Sequence, residues 1–157
     1  MSNVPFTIRP ATPADQETIV AFNAALAEET EAKSLDRALL EPGVRAALAD
    51  PAMCLYFVAE AQGRVIGQIM ITTEWSDWRN GWFWWIQSVY VDAAWRRRGV
   101  FRALYHHVRT QAVARPDVCG LRLYMHHENT RARSTYESLG MHVTDYLVCE
   151  DAWSPEP

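Results

Sequence analysis

A chain of 157 residues, 49% of them apolar, can bury one sizeable core, which excludes a largely disordered protein. The net charge of −4, from 15 basic and 19 acidic side chains, excludes a nucleic-acid track, because the one tight basic cluster, Arg96-Arg97-Arg98, is too short to follow a phosphate backbone. Three widely spaced cysteines without a Cys-x-x-Cys pair exclude a disulfide framework and a thiolate zinc site, and no apolar run approaches the length of a membrane span.

Cys54, Cys119 and Cys149 each sit in an apolar run and are expected to be buried free thiols in a reducing cytoplasm. Met1-Ser2-Asn3-Val4-Pro5 has neither a basic start nor an apolar signal core. The expectation is one cytoplasmic domain over residues 1–157, with its core from about 6 to 149. Residues 150–157 should form a loose tail, since Ser154-Pro155-Glu156-Pro157 has nothing to pack.

Phe6 to Pro10 alternates and predicts a short strand. Thr12-Pro13 opens a helix, with Thr12 as cap and Pro13 at the first helical position, and Ile19, Phe22, Asn23 and Leu26 follow at helical spacing. This helix runs into Glu28-Glu29-Thr30-Glu31. Glu41-Pro42-Gly43 opens a second short helix, with Val44, Ala47 and Leu48 on one face, which ends at Asp50-Pro51. Cys54–Ala59 and Val65–Thr73 read as strands joined by a turn at Gln62-Gly63. After a polar turn from Asp77 to Gly81, Trp82–Val91 is apolar on both faces and is expected to be a central, covered strand. A turn over Asp92–Gly99 leads into a helix with Phe101, Leu104, Tyr105, Val108 and Ala112 on one face, ended by Arg115-Pro116. Cys119–His126 reads as a half-buried strand. Asn129 caps a further helix carrying Ala132, Tyr136 and Leu139 on one stripe, Gly140 closes it, and Met141–Cys149 reads as a final strand.

Two segments carry chemistry. Val89–Arg102 is a strand end, a basic turn and a helix start. The first amides of a helix lack intrahelical acceptors, and the helix dipole adds positive potential, so the segment is suited to an anion. Gly99 allows close approach to the backbone, and Arg96, Arg97 and Arg98 attract phosphate; the alternative is an ordinary solvated helix start. In Asn129–Gly140, small Ala132 and the Tyr136 hydroxyl share one helical face, where a tyrosine could protonate a leaving group or simply be a core ring with a wet tip.

Together the two segments resemble the GNAT superfamily of acetyltransferases. Its phosphate loop reads Gln/Arg-x-x-Gly-x-Gly/Ala, here Arg96-Arg97-Arg98-Gly99-Val100-Phe101. Its later helix reads Asn-x-x-Ala-x-x-x-Tyr-x-x-x-Gly, here Asn129, Ala132, Tyr136 and Gly140. Phe101 stands where the family has a small residue, so either its ring turns into the core or the loop differs. The resemblance implies an α/β (α+β) fold with a mixed, mostly antiparallel central sheet of about six or seven strands and helices on both faces. It implies acetyl-CoA as donor, with Val89, Tyr90 and Val91 pairing with the pantetheine arm. Amides from Arg97 to Arg102, Val100 and Phe101 among them, would hold the pyrophosphate. An amide near Val89 would polarise the thioester carbonyl, Asn129 would contact the pantetheine, and Tyr136 would protonate the CoA thiolate.

For the acceptor, polyamine-type members carry a glutamate where this chain has Gln87, which cannot take a proton. Glu74, Asp77 and Glu28 are the candidate carboxylates to receive it through water. Trp75 to Trp85 holds five tryptophans, and aromatic faces beside carboxylates attract alkylammonium groups. The expected acceptor is therefore a small amine met by Glu28, Glu74, Trp75, Trp85 and Gln87; core or dimer packing is the alternative use of the rings. His106-His107 and His126-His127 are adjacent pairs that point apart, so no metal site is expected. Nucleic acid and membrane are not expected partners, whereas exposed tryptophans would suit a homodimer. A protein or peptide acetyltransferase and a non-catalytic acyl-CoA sensor remain the competing functions.

Overall fold

The computed structural model describes residues 5–153, so the expectations about the first four residues and about Ser154–Pro157 lie outside the described residues. The chain falls into two compact units, Met1–Arg122 and Leu123–Pro157.

In the first unit the elements run β1 (Thr7–Pro10), α1 (Gln16–Glu31), α2 (Arg37–Ala49), β2 (Leu55–Ala61), β3 (Arg64–Ser76), β4 (Gly81–Val91), α3 (Val100–Val113) and β5 (Val118–Arg122). They form one five-stranded sheet in the order β1-β2-β3-β4-β5, antiparallel throughout except for the parallel pair β4–β5. The Gln62-Gly63 turn takes positive φ at both residues (51° and 71°), as the tightest hairpin turn requires.

Strand pairing divides the side chains of β3 and β4 between two faces. Gly67, Ile69 and Ile71 lie on the α3 face, where a Cβ on Gly67 would come within 3.1 Å of Val100 Cγ1 and 3.5 Å of Leu104 Cδ1. The missing side chain lets the helix settle onto the strand. The α3 stripe buries Leu104, Tyr105, Val108 and Ala112 as predicted, together with Val100. On the opposite face α1 and α2 cover β2 and β3, and Ile19, Val20, Val44, Tyr56 and Val58 form a second apolar cluster.

The entry to α1 is locked by charge. Arg9 on β1 grips the Asp15 carboxylate with both terminal nitrogens (2.8 and 2.9 Å) and donates Nε to Glu60 on β2 (2.7 Å). Asp15 also accepts the Thr12 amide at 2.7 Å, so Thr12 is held by the acid three residues on. The Arg9 guanidinium holds the Asp15 carboxyl below its usual range.

Several boundaries differ from the sequence reading. The second helix starts at Arg37, capped by the Asp36 side chain on the Ala38 amide (2.8 Å), and carries Pro42 within its second turn instead of at its start. Strand β5 stops at Arg122, where its register with β4 ends at Trp85. Of the strand expected over Cys119–His126, only Cys119–Arg122 lies in β5, which begins one residue earlier at Val118.

The second unit holds α4 (Thr130–Ser138), capped by Asn129, whose side chain accepts the Ala132 amide at 3.0 Å, and closed by Gly140 at φ 88°. The final strand expected over Met141–Cys149 is absent from the described residues: Val143, Tyr146, Leu147 and Val148 are exposed and unladdered. Its alternating pattern has β propensity, but a strand exists only as half of a ladder. The sheet therefore has five strands instead of six or seven. Two of the three thiols also depart from expectation, Cys119 and Cys149 being exposed and only Cys54 buried.

Candidate active site

Strand β4 changes character half-way along. From Trp82 to Trp85 it is paired with β3 on one side and β5 on the other; beyond Trp85 the β5 ladder ends. Here the register against β3 slips: Gln68 faces Tyr90 and Met70 faces Gln87, so Ile69 opposes two residues, Ser88 and Val89. Such a bulge re-aims the backbone next to an open edge. Ser88 takes φ 43°, a left-handed conformation that costs a residue with a Cβ about 1–3 kcal/mol and persists only where its surroundings hold it.

Val89, Tyr90 and Val91 follow at this open edge and lead into the basic turn. Asp92 caps a 3-10 turn, Ala93–Trp95, by accepting the Ala94 amide (2.8 Å). Arg97 (φ 61°) and Gly99 (φ 81°) both adopt left-handed backbone, and Gly99 is the N-cap of α3. The first intrahelical bond is Ala103 N–H to Gly99 O at 2.9 Å, so the amides of Val100, Phe101 and Arg102 have no acceptor within the helix. Arg97, Arg98 and Gly99 are exposed, and a Cβ on Gly99 would meet nothing within 4 Å. A diphosphate could reach this turn. Phe101 is half-buried, its ring centroid 6.3 Å from that of Tyr105, and it leaves the helix start regular.

The three arginines are not equivalent. Arg98 lies over the Trp95 ring (5.2 Å). Arg96 donates Nε to Val91 O (3.0 Å) and pairs with Glu29 at 2.6 Å, while Tyr90 donates its hydroxyl to the same carboxylate at 2.8 Å. The Tyr90 hydroxyl and the Arg96 guanidinium hold the Glu29 carboxyl below its ordinary value, and burial with Glu29 beside it lifts the Tyr90 phenol above its own. Glu29 thus anchors the end of α1 to the turn, a role invisible in the acidic run where it sits; Glu28 beside it is exposed.

The residues expected around an acceptor are split by the sheet. Thr72 with Trp85, Glu74 with Phe83 and Met70 with Gln87 are register partners on the α1 face. Glu74 accepts Trp85 Nε1 (2.7 Å) and Arg122 (2.8 Å), and Arg122 lies 3.6 Å above the Phe83 ring. Trp75 lies on the other face, against Trp82 at 5.0 Å, so the tryptophans do not form one aromatic wall. Glu74 already accepts two donors, and Asp77 accepts the Trp78 amide in the turn. In the second unit Ala132 and Tyr136 are half-buried on α4, and burial keeps the Tyr136 phenol above its ordinary value.

The family described as "Acetyltransferase (GNAT) family" matches residues 19–141, which takes in the bulge, the turn and the α4 motif. The chain belongs to the GNAT family of acetyltransferases. It is 45% identical to a possible acetyltransferase from Clostridium difficile 630, with a TM-score of 0.90 over 96% of this chain and 99% of that one. A predicted acetyltransferase with acetyl-CoA from Clostridium acetobutylicum shares the GNAT fold at 18% identity (TM-score 0.76; 94% and 96% covered). So does a ribosomal-protein-alanine N-acetyltransferase from Brucella melitensis biovar Abortus 2308, at 16% identity (TM-score 0.75; 96% and 100% covered). No curated protein matches in sequence. The chain is thus a GNAT acetyltransferase, of a family whose acyl donor is acetyl-CoA. No helix among the described residues is long and apolar enough to cross a membrane.

Sequence reasoning missed the role of Glu29 and a polar set made of buried Tyr56 and Gln68 with half-buried Asn23 and Ser88. The available signal was polarity in apolar surroundings: Gln68 within Val65–Ile71, and Ser88 within Trp82–Val91.

Proposed function

We propose that this chain, acting as one acetyltransferase domain in a reducing cytoplasm, moves the acetyl group of acetyl-CoA onto the primary amine of a small molecule by direct attack in a ternary complex. The observation that carries the reading is the open β4 edge running straight into an exposed, left-handed turn at the start of α3. Val89, Tyr90 and Val91 would take the pantetheine as an added strand. Amides from Arg97 to Arg102 would take the pyrophosphate, with Arg97 and Arg98 supplying charge and Arg96 holding the turn to α1. Asn129, its side-chain oxygen spent on the helix cap, would meet the pantetheine through its amide nitrogen.

The amine lone pair attacks the thioester carbon, the carbonyl oxygen gains charge opposite the Val89 amide, and the C–S bond breaks as Tyr136 gives its proton to the thiolate. A phenol held above its ordinary value stays protonated, as a donor must, throughout neutral pH. Trp85, Gln87 and Glu74 border the acceptor on the α1 face. Since Gln87 takes no proton and Glu74 is engaged, the ammonium proton leaves through water before attack unless the amine arrives neutral; in either case the proton that the attacking nitrogen then gives up passes through water and restores the Tyr136 phenol.

The test is thiol release from acetyl-CoA across diamines, amino acids, aminoglycosides and peptides. Release with small amines is expected, and Tyr136→Phe should lower kcat about 100-fold or more while leaving acetyl-CoA affinity within twofold. Release with peptides alone would identify a protein acetyltransferase. CoA binding with no release at all would identify a sensor.

A further inference from the structure

The bulge that places Val89 is held from behind. Gln68 on β3 has no exposed surface, and its Nε2 donates to Ser88 O (3.2 Å) and to Asn23 Oδ1 on α1 (2.6 Å). Asn23 Nδ2 in turn donates to the Tyr56 hydroxyl on β2 (3.4 Å), which also interacts with Ser88. Side chains from β3, α1 and β2 therefore meet around Ser88, and Gln68 holds its peptide carbonyl. Ser88 C=O and Val89 N–H belong to that same rigid, trans peptide, and the two bonds point in opposite directions. Holding the carbonyl toward Gln68 therefore sets the direction of the Val89 N–H. Gln68 Oε1 is buried with no donor among the described residues, a burden that an apolar side chain in the same place would not carry.

We infer that Gln68, clamped by Asn23, is a positioning residue for acetyl transfer: it fixes the Ser88–Val89 peptide so that the Val89 N–H faces the developing oxyanion of the thioester. The inference rests on the reading given under Proposed function. It makes Gln68 matter for the chemical step and not for holding CoA, because the pyrophosphate and its turn lie further along the chain. A preorganised donor loses its effect when the peptide carrying it can rock.

The experiment compares wild type, Gln68→Met, Asn23→Leu and Tyr56→Phe, using thiol release for kcat, titration with CoA for affinity, and urea unfolding for stability. Met keeps the volume of Gln68 and removes the donor; Leu at Asn23 removes the clamp and keeps Gln68. Gln68→Met should lower kcat about tenfold or more and Asn23→Leu about threefold, with CoA affinity within twofold and each variant still folded in the absence of urea. Tyr56→Phe, which leaves the Gln68 bond to the Ser88 carbonyl in place, should change kcat less than twofold. Should Gln68→Met fail to fold, the same split in Asn23→Leu decides. An unchanged kcat in Gln68→Met, or in Asn23→Leu if only that variant folds, overturns the inference alone. So does a fall matched by equal losses of CoA affinity and stability, the pattern of a purely structural residue. A wild type inactive with every amine overturns the proposed function and this inference with it.

Discussion

The two halves of β4 differ in what their pairing leaves undone. Trp82–Trp85 lies between β3 and β5, with Phe83 and Trp84 buried. Among the described residues Ile86–Val91 is laddered to β3 alone, carries a left-handed serine at its bulge, and is half-buried from Gln87 onward. The first half satisfies its backbone within the sheet and holds the fold together. The second leaves one edge open and a peptide re-aimed, which is what an extended ligand needs. On the function proposed above, one strand divides stability from chemistry, and the boundary falls where the β5 ladder ends at Trp85.

That division can be broken by substitution. Trp84→Ala, in the first half at 3% exposure, should cost about 3–5 kcal/mol of unfolding free energy in urea titration. A loss under 1 kcal/mol would mean that the paired half is not the structural one. Asp15→Asn, away from both halves, is the control and should cost about 1–3 kcal/mol at pH 7. The Asp15 pKa is depressed in the folded state, so its stabilisation is present above the unfolded value of about 3.9 and fades as pH falls through the folded one. The gap between wild type and Asp15→Asn should therefore be full at neutral pH and close below about pH 4; a gap that widens on acidification would contradict the assignment. In the turn after the second half, Arg97→Glu with Arg98→Glu should weaken CoA binding about tenfold, or about 1.4 kcal/mol, and by more at low salt, with stability nearly unchanged. Salt-independent affinity equal to wild type would remove the turn from the site.

What was legible in the sequence was local. Gly140 announces its left-handed cap, Asn129 its cap, and the α3 stripe its buried face, because each depends on neighbours within a turn or two, whereas the left-handed cap at Gly99 emerges only in the structure. The α4 motif stands where it was read, and so does the helix start behind Gly99. Ladder partners were not legible. Met141–Cys149 suggests a strand, but a segment's own residues supply no neighbour, and Trp75 and Trp85 part company because Trp85 pairs with Thr72, three residues before Trp75, and residues an odd number apart along a strand face opposite ways. The long-range polar ties were equally hidden: Glu29 meets Arg96 across 67 residues, and Gln68 meets Asn23 across 45. Nothing in an acidic run or a lone glutamine says which distant group it will face.

Backbone hydrogen exchange with and without CoA asks most directly whether the open half of β4 and the turn behind it hold the cofactor. Slowed exchange concentrated at residues 89–91 and 97–102, with Trp82–Trp85 unchanged, is the predicted result. Tight CoA binding that leaves the amides of 97–102 exchanging at their free rate would contradict it.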